Sequence, residues 1–343
     1  MIAPRRRWLA VGSGLAALVF AASFAIAEAL HTAAAPTHIE VRSTPISAFD
    51  TRDPLRTRFG ALEFRGGLVL TSSDQAFGGI SAIHLQADGA HFVAVTDRGS
   101  WLRARIVYRD GRPAGLADAE MAPALGRDGK PLASKRWFDM ESLAERDGLF
   151  YVGIERVEKI VRFDLRKHGL TARGEPIPVP ADFKTFTHNK SLECLAAPPK
   201  DAPLGGSLIA VTEHSLDKNG DHRAFVLNGS QVERFSVKRS DGFDVSDCAI
   251  LPPNDLLLLE RSYSPLAGVA MRIRRIPLRA IKDGALVDGA ALIKADLGYQ
   301  IDNMEGLAVS RAADGATVLT LVSDDNFSAL QRSLLLQFTL PAD

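Results

Sequence analysis

Acidic residues recur at the two ends of one repeated phrase in this 343-residue chain, and they are the groups best placed to do chemistry. Glu141, Glu193, Asp247 and Glu305 each open a short apolar run. Asp97, Glu155, Glu213, Glu260 and Asp324 each close the apolar run that follows, with Asp325 directly after the last. Arg98, Arg156 and Arg261 come one residue behind three of the closing acids, and His214 behind a fourth. Crowded carboxylates raise one another's pKa unless a cation offsets them. Ca²⁺ is a fitting cation, since it takes about six to eight oxygen ligands, mostly carboxylates and carbonyls. A guanidinium fork matches phosphate oxygens. The expected chemistry is therefore the joint binding of a hard cation and a small anionic or ester substrate. Glu141, Glu305 and Asp324 are the candidate catalytic carboxylates. Asp97, Glu155, Glu193, Glu213, Asp247, Glu260 and Asp325 are the candidate metal ligands. Arg98, Arg156, Arg261 and His214 are the candidate substrate-binding residues. The plainer reading is that these acids cap turns and pair with the arginines beside them. That reading treats each repeat alone and leaves unexplained why every repeat adds acids at the same place.

The elements that must position these groups are strands. From residue 62 onward, apolar runs of five to eight residues alternate with Gly, Asp, Asn and Pro, and no 12-residue window carries a helical period. Five units begin at Ser81, Glu141, Glu193, Asp247 and Glu305, between 52 and 60 residues apart. Each shows a first strand, a second, and a third (101–108, 159–164, 223–227, 270–277, 334–340), and several show a fourth. A period of about 40–60 residues with four strands per unit is the mark of an all-β fold, the β-propeller. The last unit stops after its third strand, and residues 62–70 are expected to supply the fourth and close the ring. Five repeats are counted. A sixth blade built from residues 38–70 and diverged segments is the alternative. Because the start of a first strand lies beside the end of a second, the acids of all five units are expected around one mouth of the central channel.

Other features bound the reading. Acidic and basic side chains balance at 41 each, which gives no basic excess for nucleic acid. The run Arg272-Ile273-Arg274-Arg275 reads as a solvated strand face. Asp217-Lys218-Asn219-Gly220-Asp221 has three residues of a calcium loop, but His222 stands where that loop needs glycine, so a hairpin turn is expected. No G-x-S-x-G, H-E-x-x-H or C-x-x-C occurs. His84, His91 and His188 are isolated and read as structural or surface residues. Cys194 and Cys248 fall at the same place in consecutive units, so they are expected to point the same way round the ring and remain free, buried thiols. Arg5-Arg6-Arg7, an uncharged run over residues 8–27 and the small-x-small end Ala25-Ile26-Ala27 form a secretory signal, with Arg6-Arg7-Trp8-Leu9 similar to a twin-arginine motif. Residues 1–27 are read as that signal, 28–60 as a tether and lead-in, and 61–343 as the propeller, a monomer in the periplasm or outside the cell.

Several phrases occur in order that resemble one family. They are Phe77-Gly78-Gly79-Ile80-Ser81-Ala82-Ile83, Thr96-Asp97-Arg98-Gly99, Asp139-Met140-Glu141-Ser142-Leu143-Ala144, Gly153-Ile154-Glu155-Arg156 and Asp302-Asn303-Met304-Glu305-Gly306-Leu307. Together with Leu62-Glu63-Phe64-Arg65-Gly66-Gly67-Leu68 they are similar to the phytase-like family, whose members carry the description "esterase-like activity of phytase". The resemblance implies an exported propeller and a hydrolase of phosphoric or related esters. A non-catalytic propeller that binds a ligand or protein at the same mouth, and a calcium-dependent lactonase-like esterase, are the competing expectations.

Overall fold

The computed structural model describes residues 35–187 and 190–342. The expected signal segment and His188 lie outside the described residues. Five small antiparallel sheets form a five-bladed β-propeller. The inner strands are Ile80–Leu85, Met140–Arg146, Leu192–Ala196, Asp244–Leu251 and Met304–Arg311, here taken as blades 1 to 5. They touch one another in cyclic order, so the ring is closed. The second strands are His91–Thr96, Leu149–Ile154, Leu208–Leu216, Asp255–Ser264 and Thr317–Ser323. Leu208–Leu216 and His222–Asn228 are joined through the Asp217–Asp221 turn, where the Asp217 carboxylate accepts the N–H groups of Asn219 and Asp221. That turn is a hairpin, as expected.

Burial follows from the stacking. Each blade has two apolar faces, and five separate core layers fill the five junctions between neighbouring blades. Val152 and Leu195 are as dry as the core of any domain because helices or loops are not needed to cover a sheet that lies between two others. The ring closes where expected: Leu62–Thr71 pairs with the last strand, Ser333–Leu340. Among the described residues there is no sixth blade. Arg42–Ile46 pairs with Leu62–Thr71 at the outside of blade 5, and Thr37–His38 pairs with the outer strand of blade 1, so the lead-in is spent on two existing edges.

All five inner strands carry the same irregularity. One extra residue is inserted opposite the second strand, at Ser81, Glu141, Glu193, Ser246 and Glu305. Such a bulge re-aims its side chain out of the ladder. In blade 4 the bulged residue is Ser246, not Asp247. The same one-residue displacement holds on its second strand. Thr96, Ile154, Thr212 and Ser323 pair at the position that Glu260 holds in blade 4, so the counterpart of Asp97, Glu155, Glu213 and Asp324 is Arg261. A shift of one residue moves a strand side chain to the opposite face.

Two sequence expectations fail for that reason. Cys194 and Cys248 are not equivalent: Cys194 pairs with Val211, whereas Cys248 pairs one step further along, with Leu258. They therefore face each other across the junction of blades 3 and 4. They form a disulfide, with Cα atoms 5.1 Å apart, rather than two free thiols. The arginine run of blade 4 is not a solvated face. Arg272 and Arg274 are buried, and both clasp the fully buried Glu260 in two-pronged ion pairs at 2.6–3.1 Å. Only Arg275 of that run is substantially exposed, and it pairs with Asp255.

Candidate functional site

The bulges and strand ends of the five blades converge on one end of the channel. There they line a cavity of about 660 Å³. Nine carboxylates reach it: Asp97, Asp139, Glu141, Glu155, Glu193, Glu213, Asp244, Glu305 and Asp324. Arg156, Lys190, Arg239 and Arg261 are its cations, and Tyr263 and Val269 form part of its lip. Three layers of backbone place these groups. The residue ahead of each inner strand accepts the N–H at the end of the second strand in four blades, through the carbonyls of Gly79, Asp139, Ser191 and Asn303. The bulge supplies Glu141, Glu193 and Glu305. The end of the second strand supplies Asp97, Glu155, Glu213 and Asp324. Gly79 is required where it stands. Its φ is +62°, and a Cβ there would collide with Asp97 Oδ1.

Nine of the fourteen residues singled out from sequence line this cavity: Asp97, Glu141, Glu155, Arg156, Glu193, Glu213, Arg261, Glu305 and Asp324. The other five do not. Glu260 is locked between Arg272 and Arg274, away from the mouth. Asp247 is buried against blade 5, where it accepts the N–H of Leu307 at 2.6 Å. Asp325 ties down its own loop through the N–H of Phe327 and the Ser333 hydroxyl, and accepts the N–H of Gly79 from blade 1. Arg98 is exposed and lies over the ring of Phe327. His214 sits behind the rim, its Nδ1 3.0 Å from Asp244 Oδ1.

Sequence reasoning missed Asp139, Asp244, Asn303, Arg239 and Lys190. A signal existed for two of them: Asp139 and Asn303 stand immediately before Met140-Glu141 and Met304-Glu305. Asp244 shows no such phrase, because its blade has serine at the bulge.

The electrostatics are strained by design of the ring. Burial, then the repulsion of Asp324, pushes Asp97 up to about 7. Burial, with the charges of Asp139 and Glu213, pushes Glu155 up to about 7. Glu305 rises to about 8 through burial, although Arg261 opposes it. Glu141 and Glu193 are pushed well above the carboxylate range by burial and by their acidic neighbours. Asp244 is the exception, held low against burial by hydrogen bonds from Arg239 and His214. Arg261 takes the fifth carboxylate's place and answers part of the negative charge. It donates to Asn303 Oδ1 at 2.7 Å and to Glu213 Oε1 at 3.2 Å, and lies 3.5 Å from Glu305 Oε1. Burial disfavours its charge, but Glu305, Glu213, Glu193 and Glu141 outweigh that and keep it protonated. Arg156 is already paired with Asp139, and Arg239 with Asp244.

Among the described residues, Glu155, Glu193 and Glu213 form a group whose ligand oxygens all lie within 4.8 Å of one another. The donor chemistry fits a hard cation. All three are buried carboxylate residues, and among the described residues Asp97 Oδ1, whose residue lines the same cavity, is buried with no hydrogen-bond partner.

The chain matches the family model "Phytase-like: Esterase-like activity of phytase" over residues 75–327, more than half its length. It belongs to the phytase-like family. No curated protein matches it closely enough to count. Among solved structures, this phytase-like chain is distantly similar to the glutaminyl cyclase of Myxococcus xanthus (10% identity, TM-score 0.41, 77% of this chain and 92% of that one). It is about as similar to the WD40 repeats of RRP9 (12% identity, TM-score 0.39, 87% and 86%). These likenesses are too remote to bear on chemistry. Among the described residues of the phytase-like chain, no helix is long and apolar enough to cross a membrane.

The raised carboxylates set a pH dependence. An acid whose folded pKa lies above its unfolded value binds a proton more tightly when folded. Its stabilising effect is present at low pH and is lost as pH rises through the folded pKa. For Asp97, Glu155 and Glu305 that window runs from about 4 up to between about 7 and about 8. In chelator, the melting temperature is expected to fall by at least about 5 °C between pH 5 and pH 8.5. A flat profile in chelator, measured by calorimetry, would refute the crowding of these acids.

Proposed function

We propose that this phytase-like propeller is an exported, metal-assisted hydrolase of phosphate or related esters, with its active site in the acidic cavity. The observation that carries the reading is the Glu155–Glu193–Glu213 group set among nine carboxylates at one mouth. So many buried acids cannot all be charged unless protons or cations offset them. These three residues would hold the cation, and Ca²⁺ is the ion their all-oxygen chemistry favours. When bound, it would polarise a substrate oxygen and acidify a water.

The chain's own residues supply the remainder. Glu305, with a pKa of about 8, carries a proton at neutral pH and can deliver it to a leaving oxygen. Glu141, held well above the usual range, and Asp324, raised by burial, flank it as further proton carriers. Arg261 is held by Asn303, Glu213 and Glu305 on the cavity lining, where its positive charge would attract a substrate oxygen. Arg156 and Lys190 add positive charge at the rim. The charged lining favours a phosphate ester over a lactone, which would want more apolar wall. The disulfide is in keeping with an oxidising compartment and so with export.

The test is a substrate panel of phosphomonoesters, carboxylesters and lactones, with purified protein in Ca²⁺ or chelator. Phosphomonoester turnover that disappears in chelator and returns with Ca²⁺ is the expected result. No turnover on any substrate, with an unchanged melting temperature in chelator, would leave a propeller that only binds its ligand or none at all.

A further inference from the structure

The inner strands are sewn to one another just beneath the mouth, and each stitch lies beside a cavity carboxylate. From blade 2 to blade 3, the Ser142 hydroxyl donates to Leu192 O at 3.1 Å, and Glu155 Oε1 accepts the Ser191 N–H at 2.7 Å. From blade 4 to blade 5, Ser246 donates to Met304 O at 3.0 Å and Asp247 accepts the Leu307 N–H at 2.6 Å. Met304 and Leu307 bracket Glu305. Between blades 3 and 4 the corresponding inner-strand stitch is covalent: Cys194, next to Glu193, is bonded to Cys248, next to Asp247.

The disulfide is one part of the apolar packing between these two blades. Their junction already holds a continuous apolar layer that includes Val211, Phe235, Leu256 and Leu258. Within that layer the bond sits at the residue next to Glu193, whose ligand oxygen lies within 4.8 Å of those of Glu155 and Glu213. A small displacement of the bulge would move Glu193 away from Glu155 and Glu213. A covalent link at the neighbouring residue resists it without adding a buried polar group.

We propose that the Cys194–Cys248 disulfide is a positioning element for the Glu155–Glu193–Glu213 metal site. It holds the bulge of blade 3 against blade 4, so that Glu193 keeps its oxygens beside those of Glu155 and Glu213. Through Asp247 and Leu307 the same link steadies the strand that carries Glu305. This rests on the metal site proposed above, and the cysteines themselves touch neither cation nor substrate.

The experiment compares the full-length wild-type protein with the double variant Cys194→Ala, Cys248→Ala. Calorimetric titration with CaCl₂ reads the site, and hydrogen exchange in chelator reads the strands. The double variant is expected to melt cooperatively and to bind Ca²⁺ at least about 10-fold more weakly, the size of effect seen when ligand-orienting contacts are removed. Exchange should quicken in residues 190–196 and 304–308 and stay unchanged in the outer strands Gln231–Val237 and Ala290–Asp296. A lower melting temperature with unaltered Ca²⁺ affinity would make the disulfide a general staple and overturn the proposal. Wild-type protein that takes up no Ca²⁺ would remove the metal site itself, a result distinct from equal binding by both proteins. If the double alanine variant does not melt cooperatively, Cys194→Val with Cys248→Ala refills the space and is read in the same way.

Discussion

Replacing Glu260 by alanine is expected to cost about 3–5 kcal/mol of folding stability. The carboxylate is fully buried and accepts from both prongs of two guanidinium groups. Removing it leaves Arg272 and Arg274 buried around an empty place. Their remaining partners are the Phe243 ring, Ser240 and Asp241 for Arg272, and Asp288 and the Lys238 carbonyl for Arg274. Other blades hold Thr96, Ile154, Thr212 or Ser323 at this position, so the fold itself does not require a charge there. Urea unfolding monitored by tryptophan fluorescence gives the number directly. A loss under about 1 kcal/mol, the scale of an exposed pair, would mean that the network is wet in solution. Folded Glu260→Ala protein should keep its Ca²⁺ affinity, because this residue stands outside the cavity.

The second large effect separates ligand binding from stability. Glu193→Gln is expected to weaken Ca²⁺ binding by at least about 100-fold, more than the loss of a contact that merely orients a ligand. Ester turnover should fall with it. In chelator the same variant should be as stable as wild type, or slightly more so at alkaline pH. The sign follows from the pKa. Burial, with the charges of Glu141, Glu213 and Glu155, holds Glu193 well above the carboxylate range, so without a cation folding favours its neutral form. Glutamine copies that neutral shape and cannot ionise. Wild-type protein loses this stabilisation as pH rises, and the variant does not. Titration calorimetry and thermal melts with and without Ca²⁺ check both halves. Destabilisation in chelator combined with undiminished Ca²⁺ binding would place the metal elsewhere.

Much of this architecture is legible without coordinates, because it is written in local patterns. Apolar runs of strand length, turn residues between them and a recurrence of 50 to 60 residues call for a propeller. The unpaired strand at residues 62–70 shows how the ring closes. The convergence of Asp97, Glu155, Glu213 and Asp324 follows from hairpin geometry alone, since both ends of every hairpin meet at the same rim.

Blade 4 shows where that reading stops. In the sequence, Asp247-Cys248 looks like Glu193-Cys194, and Glu260-Arg261 like Glu155-Arg156. Residue type at that point outweighed register, and the two differ by one position. In a strand, one position is a change of face. The difference turns two supposed free thiols into a disulfide and a supposed metal ligand into the centre of a buried arginine clasp. It also puts Arg261, rather than an acid, into the ring of carboxylates. The positions of the bulges depend on how each inner strand pairs with its neighbour, and no single strand carries that information. The repeat and the acidic mouth belong to the amino-acid order. Which acids face the channel and which face a neighbouring blade was decided only when the five sheets packed against one another.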